Sequence, residues 1–98
     1  HSGNDTPGQV QAVTAAQNSP NIFLETCTSF GAQGTIEFLV KGAGGDRVLF
    51  GSDMPLMDAR FGVARIVTAD ISDSDKTKIL GLNAMKLLNI KPNELPNT

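Results

Sequence analysis

An α/β chain with two parallel strands and flanking helices is the fold class the sequence predicts, and three observations predict it. Residues 21–28 (NIFLETCT) and 46–51 (DRVLFG) are short segments whose cores are rich in apolar and β-branched residues, and proline and glycine bound them. The centre of the second, Val48-Leu49-Phe50, shows no polar alternation, as suits a strand covered on both faces. A helical pattern lies between them, so the two form a βαβ unit whose strands must run parallel. Two strands neither close a barrel nor cover their own faces, so a stand-alone fold would be incomplete.

In chain order, Thr6-Pro7 reads as a helix start, a capping hydroxyl followed by proline in the first turn. Val10, Ala12, Val13 and Ala16 then form a weak apolar stripe, and Ser19-Pro20 stops the helix near Asn18. After the first strand, residues 34–41 are expected to be helical, with Ile36, Leu39 and Val40 on one face and the run GAGG as terminator. Beyond the second strand, residues 52–61 read as a loop, and residues 62–69 as a helix with Val63, Ile66 and Val67 inward. Ser72-Asp73-Ser74-Asp75 resembles a capping box with aspartate at the fourth position, opening a helix to Leu80. Gly81-Leu82-Asn83 is expected to interrupt that helix, with Asn83 capping a last one to Leu88. The unit of interest is residues 1–90, and residues 91–98 read as a polar tail.

Composition narrows the function. The 98 residues are enough for one small domain with a modest core. A formal net charge of −2 without a basic cluster argues against nucleic acid or an anionic membrane as partner. No apolar run approaches the ~20 residues of a membrane span, and no segment reads as a signal peptide. Cys27 is the single cysteine, which fits a reducing, cytoplasmic setting and leaves no disulfide framework. The chain begins at His1 rather than at methionine, as expected of a processed or tagged chain or of the downstream piece of a longer protein.

Side-chain parity selects the candidate residues. On the second strand Leu49, Gly51 and Asp53 share one face, and Val48, Phe50 and Ser52 share the other. Reactive groups of parallel sheets gather at the C-terminal strand ends, which is where Asp53 falls. From spacing alone Asp53 is either a turn-forming carboxylate or a metal ligand. On the first strand Phe23, Glu25 and Cys27 lie together. Glu25 is read as a paired structural carboxylate ahead of a catalytic one, and Cys27 as a small buried hydrophobe.

HSG, NIFLETCTS, GTIEFLVKGAGGDRVLFGSDMP and DKTKILGLNAMKLLNI, in that order and spacing, resemble the C-terminal part of the amidohydrolase superfamily. The likeness is nearest to the branch of TIM-barrel hydrolases and decarboxylases related to aminocarboxymuconate-semialdehyde decarboxylase. It covers nearly the whole chain. It implies that residues 21–28 and 46–51 are the seventh and eighth strands of a (β/α)8 barrel. It also implies that Asp53 binds a divalent metal, zinc in the commonest case, and helps to hold or deprotonate the attacking water. His1 matches a histidine at the end of the sixth strand that faces that water or the substrate. An imidazole, with an ordinary pKa of ~6.5, suits acid or base work there. The loop of residues 54–61 then covers the pocket mouth, with Met54, Met57, Asp58 and Arg60 as candidate contacts to a small-molecule substrate. Arg60 either pairs with a substrate carboxylate or forms a solvated ion pair with Asp58.

Two departures from the family pattern follow. The paired His-x-His of the first strand and the histidine after the fifth are absent, because His1 is the only histidine. A full barrel needs about 250 residues. The chain is therefore expected to be inactive without a preceding part of the barrel, and homo-oligomers are conceivable partners. A small non-enzymatic α/β interaction domain, with Asp53 as a turn residue, is the competing class.

Overall fold

The computed structural model describes residues 1–96. Helix α1 (Thr6–Asn18) leads to strand β1 (Leu24–Glu25), helix α2 (Thr35–Ala43), a 3-10 turn (Gly45–Arg47) and strand β2 (Val48–Leu49). Helices α3 (Ala59–Val67), α4 (Asp73–Thr77) and α5 (Asn83–Leu87) follow. The strands are parallel, with Leu24 opposite Val48 and Glu25 opposite Leu49. The α/β class and the parallel pair are thus present, but the regular ladder is only two residues long. Thr26 extends it, its N–H donating to the Leu49 carbonyl (2.9 Å) while its hydroxyl accepts from Gly51 N–H (3.3 Å). Within the described residues the sheet has two strands, and the barrel lies outside what this chain displays.

Capping decides several boundaries. Asp5, rather than Thr6, caps α1: its carboxylate accepts from Gly8 N–H at 2.7 Å, because a carboxylate one residue earlier reaches the free amides of the first turn. Asp58 caps α3 in the same way, and starts that helix at Ala59, three residues earlier than predicted. Ser72 caps α4 through Asp75 N–H (3.1 Å), as predicted. Gly44 closes α2 with a bond to the Val40 carbonyl.

Packing follows the apolar stripes with two corrections. Val13 and Ala16 of α1, Ile36 and Leu39 of α2, Leu24 of β1 and Val48 of β2 join Ile66 and Ile79 in one buried cluster. Val10 is half exposed instead, and its expected inward place is taken by Gln9. On α3 only Ile66 is buried. Val63 and Val67 point outward, so this helix keeps an apolar outer face. Burying a side chain such as Ile66 or Ile79 contributes roughly 1.5–3 kcal/mol.

The C-terminal helices depart most from expectation. Gly81-Leu82-Asn83 does not break the chain. A π-helical turn, Lys78–Leu82, joins α4 to α5 without interruption. Where the helix widens, the Ile79 carbonyl accepts from Phe50 N–H just beyond β2 (3.1 Å). Asn83 is not a cap but a buried cross-brace, donating its carboxamide to the carbonyls of Gly45 (2.7 Å) and Val48 (2.8 Å). Lys78 is partly covered and pairs with Asp46 at 3.1 Å. The described part of the polar tail carries a short 3-10 turn, Pro92–Glu94, while residues 97 and 98 lie outside the described residues. No helix among the described residues is long and apolar enough to cross a membrane.

Candidate metal centre at the strand ends

His1, Cys27 and Asp53 meet beyond the C-terminal ends of β1 and β2. His1 Nε2 lies 3.8 Å from Cys27 Sγ and 4.0 Å from Asp53 Oδ2. One donor atom from each of the three lies within 4.8 Å of the others. Each residue arrives by a different route. Cys27 follows β1 directly and is buried. Asp53 comes from a turn: its φ of +58° takes it out of extended backbone, and its carbonyl accepts from Met57 N–H at 3.1 Å. Aspartate tolerates that left-handed conformation better than most residues. The strand parity that placed Asp53 with Leu49 and Gly51 therefore stops short of it. The turn places its carboxylate. His1 is held by the segment behind it. Gly3 has φ +99° and packs against the backbone of Gly8 and Gln9, where a β-carbon would collide. The Thr28 hydroxyl, donating to Asn4 Oδ1 at 3.0 Å, fastens this segment to the end of β1.

Glu25 supports the cluster from below. Its Oε1 accepts from Cys27 N–H (2.6 Å), and its Oε2 receives the His1 α-ammonium (3.0 Å). Gly51 lies beside it with no side chain, and a β-carbon there would overlap the Glu25 carboxylate. The space beside Gly51 is thus filled by Glu25. Burial pushes the Cys27 thiol above its ordinary pKa, and the negative charges of Glu25 and Asp53 add to that. The same carboxylates that favour the protonated sulfur would also attract a cation, and a cation held there would favour the thiolate instead.

Imidazole nitrogen, thiolate sulfur and carboxylate oxygen are all zinc donors, and around a tetrahedral zinc such atoms stand about 3.3–3.8 Å apart. The His1–Cys27 separation is within that range and the His1–Asp53 separation is just above it. The donor types present suit a divalent metal, their three atoms lie within 4.8 Å of one another, and they surround a place open to solvent, with His1 and Asp53 both partly exposed.

Met54 is exposed, Met57 is partly covered, and Asp58 and Arg60 lie in solvent bound to each other by a bidentate pair. The solvated ion pair is thus the arrangement present. Asp58 is also held below its ordinary carboxylate pKa, first by the Arg60 side chain and then by the Arg60 amide.

Cys27 is buried, as expected, and its sulfur also lies beside the His1 imidazole; its parity with Glu25 is the signal that it faces the same space. One residue here has no counterpart in the sequence reading. Arg65 donates to the Thr26 carbonyl (3.0 Å) and the Thr35 hydroxyl (2.8 Å) and lies over the Phe61 ring. It ties α3 to the end of β1 and to the start of α2. No local pattern announced it.

Neither the curated proteins nor the solved structures contain a significant match to the chain. A family sequence model described as amidohydrolase matches residues 1–90, the span that holds both strands, the three converging side chains and all five helices. On that match the chain belongs to the amidohydrolase family.

Proposed function

We propose that the chain is the C-terminal part of a metal-dependent hydrolase or carboxy-lyase built as a TIM barrel, in the branch related to aminocarboxymuconate-semialdehyde decarboxylase. Residues 1–90 would form the barrel segment, with β1 and β2 as its seventh and eighth strands, and residues 91–98 the tail. The observation that carries the proposal is the meeting of His1 and Asp53 at the C-terminal ends of two parallel strands, 4.0 Å apart. The reaction would be hydrolysis of a C–N or ester bond, or non-oxidative decarboxylation, of a small-molecule substrate in the cytoplasm.

Asp53 would hold the metal, with zinc the first choice. Such an ion supplies Lewis acidity and lowers the pKa of a coordinated water to ~7. The other work belongs to the chain. The Asp53 carboxylate accepts a proton at Oδ2, and the His1 imidazole, at Nε2, orients the substrate or exchanges a proton with it. Glu25 holds the backbone of Cys27 and His1 in place from below. Met54, Met57, Asp58 and Arg60 would be the contacts to substrate, with Arg60 now spending its donors on Asp58.

The competing interaction-domain reading has one observation in its favour, the left-handed turn at Asp53. That turn uses the backbone and leaves the carboxylate facing His1. The coding sequence upstream of His1 separates the two readings. A His-x-His roughly 150–250 residues upstream, as a ~250-residue barrel requires, supports the enzyme. A start codon directly before His1 would sink it.

A further inference from the structure

Cys27 is the one member of the cluster that the proposed reaction leaves without a task. It is buried, its backbone is clamped by Glu25 Oε1 at 2.6 Å, and its sulfur points to the imidazole rather than into the apolar core. A cysteine kept only for packing has no need of two carboxylates and an imidazole around it. Its surroundings are polar on the side that faces the cluster, and a thiolate is the strongest zinc donor among the three groups.

We propose that Cys27 is a metal donor: its thiolate sulfur binds the same divalent ion as the Asp53 carboxylate, with His1 Nε2 the third atom within reach. This rests on the proposed metal role of Asp53 and extends it. Binding breaks the Cys27 S–H bond, forms a sulfur–metal bond and releases one proton to solvent, with no change of oxidation state. The consequence is selectivity. A site with one sulfur, one nitrogen and one oxygen donor prefers zinc, cobalt or cadmium over magnesium, calcium or manganese, which favour oxygen.

The test is titration of the reduced 98-residue chain with cobalt(II) chloride, read by near-ultraviolet absorption and by calorimetry. The expected result is a thiolate-to-cobalt charge-transfer band that saturates at one ion per chain. Cys27→Ser removes the band, and Asp53→Asn weakens the affinity by about 10-fold or more, at least the loss seen when an outer partner of a ligand is removed. A measurement on the unaltered chain guards against a misfolded variant: zinc slows alkylation of Cys27 by iodoacetamide, and a chelator restores the rate. Cobalt binding without the band, or alkylation that zinc leaves unchanged, overturns the role of Cys27 while leaving that of Asp53 standing. A band that Asp53→Asn does not affect also overturns the proposal, because the two would not share an ion. Absence of any cobalt binding overturns both roles in this chain.

Discussion

Gly51 and Glu25 occupy one space: the Glu25 carboxylate fills the place where a β-carbon on Gly51 would stand. The glutamate can reach Cys27 N–H only because residue 51 has no side chain. Gly51→Ala should therefore cost about 1–3 kcal/mol through overpacking. Glu25→Ala should relieve much of it, so that the double variant loses less than the two single ones together. Urea unfolding of the four chains measures the coupling, and strict additivity would refute the shared-space account.

Asn83 is the clearest structural prediction. Removing its carboxamide with Asn83→Ala leaves the Gly45 and Val48 carbonyls without their side-chain partner in a buried place. The expected loss is about 1–3 kcal/mol. Asn83→Asp should cost more, since an ionised carboxylate has no proton to donate to either carbonyl. Equilibrium denaturation ranks the two.

The Asp58–Arg60 pair makes a prediction in pH. Arg60 holds the Asp58 carboxyl below its ordinary 3.8, so the folded chain favours the ionised form. A depressed folded value gives stability that is present above the unfolded pKa and lost as pH falls through the folded one. The α3 cap should therefore be intact above about pH 4 and weaken below it. Asp58→Asn, which can still cap a helix, should flatten that acid limb. Amide chemical shifts of residues 59–62 against pH report it directly, and added salt should shrink the effect because the pair is exposed.

Surface chemistry predicts association. Leu56 is 83% exposed, Leu88 67% and Met54 65%, and the outer faces of Val63 and Val67 add to them. The two-stranded sheet has no further strand among the described residues to pair its edges. Sedimentation should show self-association at micromolar concentration, and the thermal transition should be broad. A sharp two-state melt from a clean monomer would count against the proposed barrel segment.

Much of the outcome was legible along the chain. Ser72 as a cap, Gly44 as a helix end, Ser19-Pro20 as a break and the apolar centres of both strands each depend on residues within one turn of one another, so local patterns sufficed. The order and spacing of the segments also carried the family. What only the tertiary structure decided lies between residues far apart. Cys27 and His1 are 26 positions apart, and Asn83 and Val48 are 35 apart. The left-handed turn, not strand parity, delivers the Asp53 carboxylate to the cluster. A buried polar group must find its partner wherever packing puts one, and that choice is made by the assembled core and not by its neighbours in sequence. Hence the sequence by itself marked most of the elements, while the fold decided which side chains meet beyond the strand ends.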